Sequence, residues 1–448
     1  MLSLLDLDER LVEIILELLP SSDLSSLCLS CKSLLPFARR RLFRHIILKQ
    51  HTNVQGRLYI AGIFDALEAQ PGLARSVDSL ELKGPKPNVL STTGNHDAHA
   101  AGHANQDSTA EPWLIQPSNS NLDAKYVSLI SRFKGLRHLG LGMHFAALSL
   151  QVDKSFDSLH IVEFIDDDND LYGDSWLYEL SSVDPLLVTK LFHLPTIEQM
   201  HIIFPPTQLM QPELENLPLA PSLTTIYLRE TLLDPADLAK ILSKTPQLRR
   251  LFFSFYEDRD KAQGYNLQEH LSMERLLYAL LHVSSTLEDL ELSLSWADGE
   301  NPGGNRWNER QNRIFYGIEG RLGPLTAFAS LTRLRLPLVM LLGFFPSNNP
   351  TLTDALPRTL PPNLRYLCLS NDLSEWVTFE WKAVLLDSCL CSWIPHLRLY
   401  VPLLERFDLV VWTGRNNCED AFWTENDPNL VGRLCKDADI EGTVTYKE

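Results

Sequence analysis

The chain has 448 residues, of which 44% are hydrophobic and 22% charged, so it can bury a sizeable core. Its formal net charge of -17 gives no electrostatic basis for binding nucleic acid or an anionic membrane. The cysteines are scattered and odd in number, which favours a reducing compartment over a disulfide framework. Acidic residues interrupt the apolar N-terminal run, which argues against a signal peptide, and no stretch has the ~18 apolar residues of a membrane span. We therefore expect a protein of the cytoplasm or nucleus, without a membrane or nucleic-acid partner.

The first predicted element is an amphipathic helix that ends at Pro20, because proline cannot continue a helix. Asp6 or Asp8 can cap its start, and Asp6 has capping-box spacing to Glu9. Apolar residues at helical spacing form one stripe, which consists of Leu11, Ile14, Ile15, Leu18 and Leu19. We expect this stripe to pack against another surface.

Two shorter helices are predicted to follow. The second has candidate N-cap residues at positions 21–23 and ends at Pro36, and the third covers residues 37–44. The apolar face of the second helix consists of Leu24, Leu27, Cys28, Cys31, Leu34 and Leu35. Fewer than about fifty residues rarely form a stable core alone, so the missing burial must come from a partner or from the rest of the chain.

These helices together resemble an F-box. The resemblance rests on the apolar stripe, on Pro20 before the second helix, on Asp23 and Leu24 at its start, and on Lys32 after Cys31 near its end. Up to residue 48, an Arg-rich turn and an apolar strand also resemble the usual exit from the motif. One departure is that F-boxes usually begin with Leu-Pro, whereas this chain has Leu7-Asp8 at that place.

The resemblance implies that residues 1–48 are a docking module for the Skp adaptor of a cullin-based ubiquitin ligase. The rest of the chain would then capture a protein target, and the chain itself would be a non-catalytic receptor without a cofactor. The residues that the resemblance assigns to adaptor binding are Leu7, Leu11, Ile14, Ile15, Leu18, Pro20, Leu24, Leu27 and Lys32.

Beyond residue 48 a pattern recurs in which one apolar residue is followed three and five positions later by two more. The copies are Val77-Leu80-Leu82, Leu136-Leu139-Leu141, Leu159-Val162-Phe164, Ile197-Met200-Ile202, Leu223-Ile226-Leu228, Leu248-Leu251-Phe253, Leu287-Leu290-Leu292, Leu331-Leu334-Leu336, Leu364-Leu367-Leu369 and Leu404-Phe407-Leu409. Prolines two residues before several copies, and helix-like runs such as 237–242 and 273–282, indicate a unit of turn, strand and return segment. One unit cannot cover its own apolar face, whereas stacked units bury a continuous spine.

This pattern resembles a degenerate leucine-rich repeat and predicts an α/β fold, in which an irregular solenoid with parallel strands covers residues 49–411. The spacing between copies varies far more than the ~20 to 29 residues of regular repeats. An unrelated α/β domain with several parallel strands is the alternative.

Polar segments interrupt the predicted repeats. Residues 84–121 are rich in Pro, Ser, Asn, Gly and His, so we expect a disordered or mobile loop there. Residues 297–323 form a second, Gly-rich insertion, and residues 345–360 a third that contains several prolines. Residues 412–448 are predicted to be a terminal cap or a tail.

Three clusters contain the residue types that bind metals, and we favour an interpretation without a metal for each. They are the histidines His96, His99 and His103, the aspartates Asp166, Asp167, Asp168 and Asp170, and the pair Cys28 and Cys31. The histidines fall in a polar loop, the aspartates lack the Gly and distal Glu of a calcium loop, and the cysteines lie on an apolar helix face. No phosphate loop, nucleophile elbow or zinc-protease motif is present. We therefore predict no metal site and no catalytic residues.

A candidate target-binding surface follows from strand alternation. The residues between the last two apolar positions of the copies face away from the spine, and this row consists of Gly140, Glu163, His201, Tyr227, Phe252, Glu291, Arg335, Cys368 and Asp408. Aromatic residues and arginines are favoured anchors of protein interfaces. The predicted target-binding residues are Tyr227, Arg229, Arg250, Phe252, Arg333 and Arg335. An acidic or phosphorylated target would suit them.

Three functions from different classes remain open at this stage. The chain is a receptor subunit of a ubiquitin ligase, or an adaptor-bound F-box protein without a ligase role. The third alternative is a repeat scaffold or an enzyme, with N-terminal helices that serve as a cap.

Overall fold

The structure, a computed structural model, describes residues 7–49, 63, 65–83, 130–142, 156–165, 186–203, 214–231, 233–257, 271–296, 318–343, 352–372, 381, 383–412 and 429–447. The chain divides into two compact units, the first consisting of Met1–Leu159 and Glu163–Asp170, and the second of His160–Val162 and Leu171–Glu448. Among the described helices, none combines the length and the apolar character needed to cross a lipid bilayer.

The first unit begins with the helices α1 (Glu9–Glu17), α2 (Ser21–Ser30) and α3 (Leu35–Leu42). Asp8 caps α1, since its carboxylate accepts a hydrogen bond from the backbone N–H of Arg10 at 2.9 Å. The N-cap of α2 is Pro20, which offers no side-chain cap, rather than one of the hydroxyl or carboxylate residues predicted. Pro36 lies in the first turn of α3 instead of ending α2. Proline suits that position because the first N–H groups of a helix have no intrahelical partner.

The three helices have a small core of their own, whereas so short a segment was expected to form none. It consists of Val12, Leu16, Leu24, Leu34 and Ala38, each of which is buried. Half-buried apolar residues pack around this core, and they are Leu7, Leu19, Leu27, Cys28, Cys31, Phe37 and Leu42. We call α1–α3 together the helical module.

Parallel strands follow the helical module in the first unit. They are β1 (His45–Lys49), β2 (Ser79–Lys83) and β3 (His138–Gly142), with the short helix α4 (Pro71–Ala74) before β2. The strand β4 (Ile161–Ile165) comes next in the chain. β1 pairs with β2, and β2 pairs with β3. Because residues 45–48 of β1 belong to the predicted segment 1–48, that segment shares a sheet with the residues that follow it.

The second unit continues the alternation of strands and helices. Its elements in chain order are α5 (Leu186–Leu191), β5 (Gln199–Ile203), β6 (Thr225–Thr231), α6 (Pro235–Ser243), β7 (Arg250–Glu257), β8 (Leu271–Ser272), α7 (Met273–Leu281), β9 (Asp289–Trp296), β10 (Ile318–Glu319), β11 (Arg333–Pro337), α8 (Leu338–Leu342), α9 (Leu352–Thr359), β12 (Tyr366–Ser370), α10 (Ala383–Trp393), a 3-10 turn (Ile394–His396), α11 (Leu397–Tyr400), β13 (Arg406–Trp412), α12 (Leu430–Asp437) and β14 (Glu441–Lys447). The sheet order here is β5-β6-β7-β9-β11-β12-β13-β14, and β8 pairs separately with β10.

Neighbouring strands in this sheet are parallel, which confirms the predicted α/β class with parallel strands. The last two residues of each predicted apolar triplet lie in a strand, the first lies two residues before that strand, and all of them are buried. The central triplet positions are register partners, so that Leu290 lies opposite Leu334 and Leu367 opposite Phe407. The strand alternation therefore places a continuous apolar row on one face of the sheet.

A repeated backbone contact links successive strands. In the second unit the carbonyl oxygen of Arg249 accepts hydrogen bonds from the N–H groups of Glu288 and Asp289, at 2.8 and 3.0 Å. In the first unit the carbonyl oxygen of Arg44 accepts in the same way from Asp78 and Ser79, at 2.9 and 3.0 Å. The backbone contact that links the strands of the second unit therefore also occurs in the first unit, just after the helical module.

Some predicted segments contain structure that the pattern did not anticipate, and others lie outside the described residues. In the predicted cap or tail at 412–448, residues 429–447 form α12 and the strand β14, which pairs with β13. The predicted insertion at 84–121 lies wholly outside the described residues, and the one at 297–323 is described only from residue 318 onward.

Candidate protein-binding surfaces

The helix α1 has apolar residues on two of its faces. Val12 and Leu16 are buried in the core of the helical module. Leu11, Ile14 and Leu18 are 49%, 54% and 81% exposed, and their spacing of three and four residues places them on one stripe. An exposed apolar stripe on a helix whose other face is already buried is typical of an interaction surface. We call these three residues the α1 stripe.

The structure places the nine predicted adaptor-binding residues at different depths. The α1 stripe, Pro20 and Lys32 are exposed, whereas Leu7, Ile15 and Leu27 are half-buried. Leu24 is 4% exposed and belongs to the core of the helical module, so in this structure it holds the helices together. Leu29 of α2, which was not among the predicted residues, is 92% exposed.

Ion pairs connect α1 to α3 and to the start of β2. Arg40 lies 3.2 Å from Glu13, and Arg44 lies 2.7 Å from Glu17. Arg44 also donates from Nε to Asp78, and this hydrogen bond is the main cause that raises the pKa of Arg44. These groups surround a pocket of about 280 Å³, whose lining residues are Glu13, Leu16, Glu17, Phe37, Arg40, Arg41, Arg44, Ser76 and Asp78.

In the second unit, aromatic rings of neighbouring strands line up on the face opposite the apolar row. Register pairs His201 with Tyr227 and Tyr227 with Phe252. The ring centroids of His201 and Tyr227 are 4.1 Å apart, and those of Tyr227 and Phe252 are 6.0 Å apart. All three side chains are half-buried, so part of each ring faces solvent.

Two exposed arginines lie on either side of this aromatic row. Arg250 is the register partner of Thr225, and its Nε donates to the hydroxyl oxygen of Thr225 at 3.2 Å. Its side chain therefore leans toward β6. Arg229 is exposed on β6, two residues beyond Tyr227 and on the same face.

Arg333 and Arg335 each form an ion pair with a carboxylate of β9, whereas Arg250 leans toward β6 although Asp289 is also its register partner. Arg335 lies 3.1 Å from Glu291 and Arg333 lies 3.5 Å from Asp289. Burial raises the pKa of both carboxyls, and the neighbouring arginines partly oppose that rise. The predicted target-binding residues are therefore on one face but fall into two groups, the first around Tyr227 and the second paired with acids.

A further polar network continues along the same face. The guanidinium carbon of Arg333 lies over the ring of Tyr366, 4.9 Å from the ring centroid. The hydroxyl of Tyr366 donates a hydrogen bond to Asp408 at 2.9 Å. Arg406 donates to Asp408 as well, at 3.0 Å. Burial is the main cause that raises the pKa of the Tyr366 hydroxyl, and burial also raises the pKa of the Cys368 thiol to about 11. The polar side chains at this end of the sheet face therefore hydrogen-bond to one another.

Sequence reasoning missed the carboxylate partners of the arginines, although a signal was present. Asp289 precedes Leu290 as Arg333 precedes Leu334, and Glu291 and Arg335 each follow. Aligning the triplets of these two strands by register would have predicted both ion pairs.

No metal centre is evident in the described part of the chain, where no group of three or more His, Cys, Asp or Glu side chains is positioned to hold a metal ion. The three histidines at 96–103 and the aspartates at 166–170 lie outside that part. Cys28 and Cys31 are half-buried free thiols beside the core of the helical module.

Comparison of the chain with protein-family models and with curated proteins found no match.

Proposed function

We propose that this chain is the substrate-recognition subunit of a ubiquitin ligase that is built from a Skp-type adaptor, a cullin and an F-box protein. The helical module binds the adaptor and, through it, the cullin, while the second unit captures a protein target. The observation that supports this proposal is the exposed α1 stripe on a helix whose opposite face is buried in its own module. Such a receptor would act in the cytoplasm or nucleus.

The energetics indicate how large the docking surface must be. Full burial of a leucine or isoleucine side chain contributes about 1.5–3 kcal/mol, whereas association costs about 4–15 kcal/mol in lost translational and rotational freedom. The three residues of the α1 stripe are 49–81% exposed, so their burial contributes less than three full side chains and reaches at most the lower end of that cost. A stable complex therefore needs additional contacts, for which the exposed Pro20, Leu29 and Lys32 on or beside α2 are available.

The proposed mechanism requires no catalysis by this chain. A receptor that holds a target on the same scaffold as the ubiquitin-loaded enzyme raises the effective concentration of the target lysine near the thioester. The receptor contributes two binding surfaces and the fixed connection between them, so it needs neither a cofactor nor a metal.

Two experiments test the proposal and its alternatives. In the first, the purified full chain and purified Skp-type adaptor are mixed and analysed by size-exclusion chromatography. A shared peak supports the docking role, whereas separate peaks favour a repeat protein with a helical N-terminal cap. In the second, cullin is added to the complex, and its failure to join would indicate an adaptor-bound protein without a ligase role.

A truncation gives the cellular version of this test. Deletion of residues 1–48 would remove β1 from the sheet, since β1 pairs with β2 along its whole length. Deletion of residues 1–43 removes the helical module and retains β1. A target of the ligase should accumulate when this shorter deletion replaces the full chain, and an unchanged proteome would contradict the ligase role.

A further inference from the structure

We propose that the residues around Tyr227 bind an extended acidic segment of a partner protein, in which an acidic, an apolar and a second acidic residue occupy every second position. This inference rests on the proposed function only for the statement that the partner is a ligase target. The binding chemistry follows from the second unit alone. We call the group His201, Tyr227, Phe252, Arg229 and Arg250 the β6 patch.

Electrostatics separates the β6 patch from the rest of the sheet face. Arg333 and Arg335 each face a carboxylate of β9, so a target carboxylate would compete with a partner already in place. Asp289 of β9 is also the register partner of Arg250, but it forms its ion pair with Arg333. Arg250 donates from Nε to the neutral hydroxyl of Thr225 on β6, and Arg229 is exposed to solvent. The positive charge that is available to an acidic ligand therefore lies beside β6.

In the β6 patch, the aromatic rings form a row across the strands, and the two arginines are spaced along the strand direction. Across the strands, the rings of His201, Tyr227 and Phe252 form a continuous apolar surface. Along the strand direction, Arg250 lies level with Thr225 and Arg229 lies four residues further along β6. Four residues of a strand extend about 13 Å, so the backbones at Arg250 and Arg229 lie before and after Tyr227 along β6. The register of β6 against β7 shifts between Leu228 and Thr231, but Arg229 remains in register with Ile203 of β5.

An extended peptide matches this spacing. Alternate side chains of an extended chain point to the same side and are about 6.6 Å apart. A peptide aligned with β6 would therefore place residues i, i+2 and i+4 over Arg250, Tyr227 and Arg229. Carboxylates at the two ends would form charge-assisted hydrogen bonds with the arginines, and an apolar middle residue would pack on the rings.

The test uses the full chain and fluorescein-labelled heptapeptides, with binding followed by fluorescence anisotropy. The probe has the sequence Gly-Glu-Ala-Phe-Ala-Glu-Gly. One control replaces both glutamates by glutamine, and a second has the same composition with the order Gly-Glu-Glu-Phe-Ala-Ala-Gly. We expect the probe to bind at least about tenfold more tightly than either control, and we expect its affinity to fall as salt is raised.

Matched variants locate the site. Arg250→Gln and Arg229→Gln should each weaken probe binding by about tenfold, whereas Arg406→Gln, which alters an arginine paired with Asp408 on the same face, should leave it within about twofold. Arg250→Lys should restore part of the loss. Circular dichroism melts show whether each variant is folded, and substitution of these exposed arginines should leave them unchanged.

The inference is overturned if the probe does not saturate the wild-type chain, if the glutamine peptide binds equally well, or if Arg406→Gln weakens binding as much as Arg250→Gln. Adaptor binding is proposed to involve the α1 stripe and not the residues of the β6 patch. If the wild-type chain binds the adaptor but not the peptide probe, this inference alone is refuted. If it binds the probe but not the adaptor, the docking role alone is refuted.

Discussion

Arg335 and Glu291 are register partners on neighbouring parallel strands, with the guanidinium Nη1 of Arg335 located 3.1 Å from the carboxylate Oε1 of Glu291. The same relationship joins Arg333 to Asp289 two residues earlier in the two strands, at 3.5 Å. Opposite charges that face one another across strands stabilise this alignment, and a shift of the register by one residue would lose both pairs. Their primary effect is on register, since pairs this exposed contribute only about 0–1 kcal/mol each.

The Glu291 carboxyl should make stability depend on pH. Burial raises its pKa above the ordinary value of 4.5, so the folded state holds this proton more tightly than the unfolded state does. A group of this kind makes the free energy of unfolding decrease as pH rises through the window just above 4.5. We therefore expect wild type to lose stability relative to Glu291→Gln as pH is raised from about 4.5 toward 7.

Urea unfolding at several pH values measures this difference. Glu405→Gln is a matched control, because Glu405 is an exposed partner of Arg365 on the same unit. The relative stability of this control should change less with pH. A wild-type stability that increases with pH relative to Glu291→Gln would contradict the assigned direction of the shift.

Leu18→Asp should abolish adaptor binding while leaving the chain folded. Leu18 is 81% exposed, so an aspartate there costs little in the free chain, whereas burying that charge in an apolar interface is expensive. We expect affinity for the Skp-type adaptor to fall by at least about a hundredfold, measured by isothermal titration calorimetry.

The control for this change is Leu219→Asp, which alters an exposed leucine of the second unit. It should bind the adaptor as wild type does. Equal affinity of Leu18→Asp and wild type for the adaptor would refute the assignment of the α1 stripe.

Leu16→Ala tests the opposite face of α1. Leu16 is 1% exposed in the core of the helical module, and truncation of a buried leucine costs about 2–5 kcal/mol. The amide protons of α1–α3 should exchange faster in this variant, as measured by hydrogen exchange, while exchange in the second unit stays unchanged. Unchanged protection of α1–α3 would show that the helices do not depend on this core.

The parallel strands were predictable because one physical requirement sets the pattern. Each strand buries alternate residues against the spine, so positions such as Leu290 and Leu292 must be apolar. β14 escaped prediction because most of its side chains are half-exposed or exposed, which removes the apolar alternation. Pro36 was misassigned because proline both ends one helix and suits the first turn of the next.

The candidate surfaces were predictable to a lesser extent. The helical periodicity of α1 identified one apolar stripe, but two faces of α1 are apolar, and periodicity alone does not say which one is buried in the module. On the sheet face, strand alternation correctly grouped Tyr227 with Phe252. The electrostatic difference between Arg250 and Arg335 does not follow from register alone, because a carboxylate of β9 lies opposite each of them. It depends on the turn of the Arg250 side chain toward Thr225, which no sequence pattern reveals.

Gly442→Ala should destabilise the C-terminal part of the second unit. A Cβ at this position in β14 would lie 2.5 Å from the Cβ and 2.6 Å from the Sγ of Cys435, which is fully buried in α12. Atoms cannot approach so closely, so α12 and β14 must separate, and overpacking of this kind costs about 1–3 kcal/mol. Gly432→Ala is the matched control, because a Cβ there has open space and alanine favours the helix by about 1 kcal/mol. Differential scanning calorimetry should show a lower melting temperature for Gly442→Ala and an equal or higher one for Gly432→Ala. If both variants melt as wild type does, α12 does not pack against β14 as closely as the structure shows.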